Sequence, residues 1–329
     1  MNFLVTAIGS VSGEYVLSKL NDLGHRTIGC DIYDYKWLAY ADLPDKFYQV
    51  HCAADEEEYI GDIEEICVKE SIEGIIVLTD IEVDVFNKYR LRFEERGVKV
   101  CISPRDTITI VRDKKKLAHK VLKECNHIRV IPTCSMGDFL KESPEWEREA
   151  KSFVVKPADG RSSQGLHYFS DREEIEFFAK KRGSGSYIVQ PYIDGDRIVA
   201  DVVRHPLKHK VVVAIRKELL STKNGCGISV LVYEDKALSK SCEALSEELE
   251  ICGCVNFEFL LDHNRQYHLL ECNPRFSAGV EFSALAGCDC VQRHIDCFWG
   301  STISDYTLAH TMYIARKWQE IVTYTEERA

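Results

Sequence analysis

The chain has 329 residues and a formal net charge of -11 at pH 7, with 45% hydrophobic and 29% charged residues. That is the composition of a water-facing globular protein with room for two or three domains, and the acidic balance argues against nucleic acid as a partner. No apolar run approaches a membrane span and the N-terminus lacks a basic leader, so neither a membrane nor an export signal is expected.

The first hundred residues alternate strand and helix. Residues 2–9 form an apolar strand, 9–13 a glycine-bounded turn, and 14–23 a helix with Val16, Leu17, Leu20 and Leu23 at helical spacing. The next strand, 25–32, carries Asp31 near its end. Residues 59–70 and 83–96 read as helices, 74–79 and 98–102 as strands. This alternation predicts a parallel sheet in a doubly wound domain over residues 1–104. A dinucleotide site would require Gly-x-Gly-x-x-Gly, which Gly9-Ser-Val-Ser-Gly13 does not supply. Asp31 alone keeps an NAD-binding oxidoreductase as an alternative. Thr79-Asp-Ile-Glu82 lies at the C-terminal end of its strand, where open α/β sheets meet ligands. The competing reading is that Asp80 and Glu82 cap the helix that follows.

Residues 106–111 read as a short helix, and Asp113-Lys114 opens another that runs to about residue 125. A short strand covers 130–134, and the polar stretch 139–149, interrupted by Pro144, is expected to contain a loop. Phe153-Val-Val-Lys-Pro157 is an apolar strand that ends in Lys156, and the proline stops its ladder. The small residues and two glycines of 158–165 would let backbone N–H groups approach phosphate oxygens. Taken alone, this segment is equally a hairpin turn with a surface lysine. Residues 187–193 are apolar around Gln190, then Asp194-Gly195 turns into a strand over 197–203. The strand 211–216 ends in Arg216-Lys217, readable as a solvated basic pair, and a loop follows over 221–229. Residues 237–252 form an amphipathic helix.

Residues 255–281 read as two strands joined by the turn Asp262-His-Asn-Arg265. Each strand holds one carboxylate in an apolar run, Glu258 and Glu271, which is costly unless a cation or several donors compensate it. Asn273 shares a strand face with Glu271. The three make an all-oxygen set suited to Mg²⁺ with nucleotide phosphates in the remaining positions. Arg275 would add a permanent cation beside those phosphates. The bland alternative pairs both glutamates with lysines at a sheet edge. A further helix covers 291–299, and 310–314 and 320–324 are expected as closing strands. The 14 cysteines contain no Cys-x-x-Cys and read as thiols in a reducing cytosol, not zinc ligands.

In these motifs the chain resembles the ATP-grasp superfamily, which includes biotin carboxylase, the large chain of carbamoyl phosphate synthetase and ATP-dependent carboxylate–amine ligases. Phe257-Glu-Phe-Leu260 and Leu270-Glu-Cys-Asn-Pro-Arg275 look like the metal-binding hairpin of that superfamily. The resemblance implies an α/β ATP-grasp fold with an N-terminal Rossmann-like pre-ATP-grasp domain over 1–104. The ATP-grasp domain would follow over 105–329, with a mobile lid at about 114–187 and a catalytic subdomain at about 188–329.

The resemblance also implies the roles. Lys114 and Lys156 would contact phosphates under a closing loop that includes Gly160, Ser162, Ser163 and Gly165. Backbone groups at Tyr192 and Ile193 would hold the adenine, Gln190 would face its exocyclic amine, and Leu260 would line the same pocket. Asp196 is assigned to ribose or to the hinge. Arg216 would meet the transferred phosphoryl group, and Glu258, Glu271 and Asn273 would hold Mg²⁺, with Mn²⁺ as a substitute. Asp80, Glu82, Arg275, Ser277 and Glu281 would form the substrate pocket, Arg275 holding the acid and Glu281 an ammonium or amine. The segment after Arg275 departs from the better-known members, so substrate identity is not inherited. The implied activity is a cytoplasmic ATP-dependent ligase joining a small-molecule acid to an amine, with a homodimer common among relatives. Carbamoyl-phosphate-synthetase-like or kinase-like phosphoryl transfer and a non-catalytic nucleotide sensor are the alternatives.

Overall fold

The computed structural model describes residues 1–124, 128–160, 165–223 and 225–325, and its strands fall into three sheets. The first contains Asn2–Val5 (β1), Arg26–Asp31 (β2), Lys46–Gln49 (β3), Gly74–Ile76 (β4) and Lys99–Val100 (β5), all parallel, in the order β3-β2-β1-β4-β5. Helices Gly13–Asp22 (α1), Glu56–Glu70 (α2) and Asp80–Glu94 (α3) connect its strands. β2 and β4 are buried almost without interruption, as a sheet covered on both faces requires. The strand order reverses between β1 and β4, so the C-terminal ends of these strands open a crevice there. β1 stops short of residue 9 because Ala7 takes a left-handed conformation, φ 46°. β3 is not legible in the sequence because none of its four residues is fully buried.

The chain then continues through Arg105–Val111 (α4), Lys114–Glu124 (α5) and Arg129–Val130 (β6). A small antiparallel sheet follows, built of Cys134–Ser135 (β7), Phe153–Pro157 (β8), His167–Phe169 (β9) and Tyr187–Pro191 (β10) in the order β7-β10-β8-β9. Met136–Lys141 (α6) and Arg172–Arg182 (α7) help close its own core of Met136, Phe139, Phe153, Val155, Ile175 and Val189. The stretch 139–149 is thus partly helical, with a 3₁₀ turn at Glu145–Arg148. Arg172 orders it, donating to Phe139 O at 2.7 Å, Leu140 O at 3.1 Å and Glu147 Oε2 at 2.9 Å. The small sheet spans residues 134–191. It begins later than the interval expected for a lid because α4 and α5 give Val111, Leu117 and Val121 to the core of the third sheet.

That third sheet has seven strands in the order β16-β13-β12-β11-β14-β15-β6. They are β6 with Gly195–His205 (β11), Lys210–Ser221 (β12), Gly227–Val232 (β13), Gly253–Asp262 (β14), Tyr267–Asn273 (β15) and Met312–Ala315 (β16). Only the β15–β6 pair is parallel among the recorded pairs of this sheet. Lys236–Glu248 (α8), Val280–Leu285 (α9) and Cys290–Trp299 (α10) complete this part. Residues 320–324 do not form the expected strand. Tyr324 instead packs edge-on to Tyr35 at 6.2 Å, with Lys36 Nζ 4.2 Å from its ring centre.

The first and third sheets share a core. Phe3, Val16, Leu17 and Leu20 belong to one buried cluster with Val203, Cys254, Val291 and Ile295. Burying each such side chain contributes roughly 1.5–3 kcal/mol. Trp299 packs edge-on to Phe3 at 5.2 Å, and a Cβ on Gly74 would lie 2.5 Å from the Trp299 ring, so only glycine fits there. No helix among the described residues is long and apolar enough to cross a membrane.

Candidate active site

A cavity of about 1000 Å³ lies between the three sheets. Its floor is the hairpin of β14 and β15. Phe257 and Phe259 are fully buried in the core, so strand alternation turns Asn256 and Glu258 toward the cavity. The register sets Glu258 opposite Glu271 and Asn256 opposite Asn273, with an extra residue in β15 just beyond the glutamate pair. Asn273 Nδ2 lies 3.1 Å from Asn256 Oδ1, 3.1 Å from Glu258 Oε1 and 3.4 Å from Glu271 Oε1. One amide therefore gathers both carboxylates. Lys114 Nζ is 3.3 Å from Glu271 Oε2 and donates to Gly160 O at 2.7 Å. Arg197 donates Nε to Glu258 Oε2 at 2.9 Å and adds a second bond through Nη2.

Two carboxylates side by side cannot share one environment equally. Burial pushes the Glu258 carboxyl up, with Arg197 opposing. Burial acts the same way on Glu271, but Lys114, Lys156 and Arg197 outweigh it and hold that carboxyl below the usual range. Two carboxylates and an amide carbonyl oxygen would suit a hard divalent cation with phosphates or water completing its oxygen shell, once Asn273 turns its Oδ1 instead of its Nδ2 toward the carboxylates. Among the described residues no group of three or more His, Cys, Asp or Glu side chains is placed to hold a metal.

The opposite wall comes from the small sheet. Phe153 and Val155 point into its core, which turns Val154 and Lys156 to the cavity. Burial lowers the Lys156 ammonium to about 8, partly offset by Glu271. Gln190 is buried and donates to Thr133 Oγ1 at 2.7 Å, which leaves its carbonyl oxygen as an acceptor. Gly160, Tyr192, Ile193 and Leu260 line the cavity. Gly165 does not line it; it sits against Pro157 at φ +69°. Ser162 and Ser163 lie outside the described residues.

Asp196 is not on the cavity wall either. It bonds Lys217 Nζ at 2.6 Å, while the neighbouring Gly195, Arg197 and Val199 face inward by alternation along β11. Arg216 is 2% exposed and bonds Asp201 Oδ2 at 2.6 Å, Ser277 Oγ at 3.0 Å and Glu218 Oε1 at 3.3 Å. Asp201 is fully buried and also accepts from Ser283 Oγ at 2.6 Å. A Cβ on Gly279 would lie 2.8 Å from the Arg216 guanidinium, so the chain passes this close only as glycine.

The crevice of the first sheet forms the far end. Arg275 donates to Asp80 Oδ2 at 2.7 Å, and Arg112 Nη1 lies 3.6 Å from Asp80 Oδ1 while forking onto Asp84 at 2.9 Å for each bond. Glu82 accepts from Tyr59 Oη at 2.8 Å and Thr79 Oγ1 at 2.7 Å, and burial raises its carboxyl. Asp80 and Glu82 begin α3 behind Thr79, which occupies the N-cap position, and both line the cavity together with Ser277. Glu281 is exposed on α9 and does not line it. Sequence reasoning passed over Arg197, Asn256, Asp201 and Glu218. Counting in twos along β11 and β14 would have found the first three.

Residues 184–320 match the family model described as ATP-grasp in the biosynthetic pathway with Ter operon, and residues 14–101 match one described as the PylC-like N-terminal domain. No curated protein matches the chain. Among solved structures, biotin carboxylase from Campylobacter jejuni is similar with a TM-score of 0.78 at 16% identity, covering 92% of this chain and 72% of that one. N5-carboxyaminoimidazole synthetase from Staphylococcus aureus, complexed with ADP, gives 0.72 at 14%, covering 95% and 81%. L-amino acid ligase from Bacillus licheniformis gives 0.68 at 15%, covering 88% and 72%. At such identities the likeness is one of fold, and function has to be argued from the site.

Proposed function

We propose that this chain, an ATP-grasp protein by fold and by its family matches, is an ADP-forming ligase that activates a carboxylate with ATP and joins it to an amine. The observation that carries this reading is the side-by-side pair Glu258 and Glu271, gathered by Asn273 and faced by Lys114.

In the first step a carboxylate oxygen of the acid attacks the γ-phosphorus as the bond to ADP breaks. The amine nitrogen then attacks the acyl carbon, the bond to phosphate breaks, and a proton is released. No nucleophilic side chain is required, so the protein's task is positioning and charge compensation. Mg²⁺ held by Glu258, Glu271 and Asn273 would neutralise the phosphates and align the γ-phosphoryl group. Lys114 and Lys156 meet the phosphates, with Arg216 held on the transferred group by Asp201. Backbone groups at Tyr192 and Ile193 hold the purine, and the Gln190 carbonyl accepts from its amine. The small sheet, residues 134–191, closes as the lid.

Arg275 takes the acid's carboxylate, its fork steadied by Asp80. Asp31 and Glu82 also line the cavity, and neither has a salt bridge among those recorded. A substrate ammonium would suit that end of the cleft better than it would suit Glu281. The described cysteines are all free thiols, in keeping with a reducing cytosol.

An ADP-release screen over acids and amines, added singly and in pairs, tests the reading. The expected result is acid-dependent ADP release increased by one amine, with the amide found by mass spectrometry. ADP release with an acid but no amide over the whole panel would favour the kinase-like alternative. Bound ATP without any turnover would leave a nucleotide sensor.

A further inference from the structure

Arg197 lines the cavity and forms an ion pair with Glu258. Its Nε and Nη2 both bond the same Glu258 oxygen, and its Nη1 donates to Gly225 O at 3.3 Å. A Cβ on Gly225 would lie 2.6 Å from Nη1, so the guanidinium is wedged between the carboxylate and the backbone at Gly225. Thr222, Gly225 and Cys226 line the same cavity.

The charges around the hairpin are already compensated. Glu258 and Glu271 face Lys114, Lys156 and Arg197, all three of which act on Glu271. A divalent cation arriving alone would meet a site whose carboxylates are occupied and whose nearby charge is positive. Displacing Arg197 would also leave a guanidinium beside the ion, at a distance where repulsion is large in a partly buried setting. A cation that arrives on a nucleotide brings phosphate oxygens, which supply both its missing ligands and a new partner for the freed guanidinium.

We propose that Arg197 is a positioning residue that occupies Glu258 until the nucleotide arrives, so that divalent metal binds only together with the nucleotide. This rests on the metal reading of Glu258, Glu271 and Asn273. In the nucleotide complex Arg197 leaves Glu258 for a phosphate oxygen, and the Gly225 carbonyl loses its guanidinium donor.

Mn²⁺ is the probe, with free ion followed by electron paramagnetic resonance on the full chain. The wild type should leave Mn²⁺ free without nucleotide and bind it once a non-hydrolysable ATP analogue is present. Arg197→Gln should bind Mn²⁺ in the absence of nucleotide at least about tenfold more tightly than the wild type, because one repelling charge is gone. Mn²⁺ alone should then raise the melting temperature of Arg197→Gln but not of the wild type. Arg197→Lys, which keeps the charge with a weaker grip on the carboxylate, should lie between the two and serves if the glutamine variant does not fold. Tight nucleotide-free binding by the wild type, or unchanged or weaker binding by both variants, would overturn the proposal. Glu271→Gln separates this from a failure of the metal site itself. If Glu271→Gln leaves Mn²⁺ uptake with the analogue intact, the metal reading fails. If it abolishes that uptake while the Arg197 variants match the wild type, only the role of Arg197 fails.

Discussion

The seven-stranded and the four-stranded sheets face the same cavity and hold their charges by different means. On the side of the larger sheet the charges at the cavity are paired: Glu258 with Arg197, Glu271 with Lys114, Arg216 with Asp201, and Arg275, just past β15, with Asp80. In the smaller sheet Lys156 has no salt bridge among the described residues, and burial lowers its ammonium to about 8. The charges of the larger sheet are thus paired within the protein, whereas under the proposed function the partner of Lys156 would be a phosphate. The cores differ in the same sense. β11 and β14 pair over ten positions, from Gly195↔Asp262 to Arg204↔Gly253. The small sheet and its two helices rest on a separate cluster of six buried residues. Regions with few buried contacts open at low free energy and supply moving parts.

The largest effect should come from the rigid side. Glu271→Gln keeps the volume and removes the charge, and ADP release should fall at least about 100-fold with the fold retained by circular dichroism. Near-normal turnover at saturating Mg²⁺ would break the contrast at its strong end.

Truncating the small core should be felt locally. Phe139→Ala removes a fully buried ring and should cost about 3–5 kcal/mol within that subdomain. Hydrogen exchange should speed up over residues 134–191 while β11 and β14 stay protected. Equal loss of protection in both sheets would mean that they unfold as one unit.

Lys156 sharpens the comparison through pH. A lysine is charged below its own pKa, so kcat/KM for ATP should fall about tenfold per unit above about pH 8, and Lys156→Met should remove that limb. Stability moves the opposite way. The folded value lies below that of a free lysine, about 10.4, so between the two the unfolded chain binds a proton that the folded chain does not. The lysine's contribution to stability therefore rises with pH in that window. A pH limb that survives Lys156→Met would assign the titration elsewhere.

The smallest effect is expected at Glu281, which is exposed on α9 and off the cavity wall. Glu281→Gln should change stability by less than about 0.5 kcal/mol and leave every KM unchanged. A raised KM for the amine alone would return this residue to the site.

Glu258, Glu271 and Lys156 were legible because each is a charge inside an apolar strand, a local violation that needs a local reason. Their pairing was legible too, because a hairpin joins neighbours in sequence and its turn sets the register. The choice between Asp196 and Arg197 was not. Both follow the same turn, and which one faces inward depends on the phase of β11 against β14, where a shift of one residue exchanges the two faces.

Periodicity and composition alone determined the alternating first domain, the hairpin and the charged residues set inside its strands. These follow from short-range rules about which side chains share a face. Tertiary structure alone decided the partners of those charges. Asp80 and Arg275 are 195 residues apart, Asp201 and Ser283 82 apart, and Arg197 and Glu258 61 apart. Such contacts depend on sheet order and on the packing of α1 against α10, which no periodicity encodes. That is why Glu281 looked like a pocket residue beside Ser277 in the chain, yet the first turn of α9 carries it out to solvent.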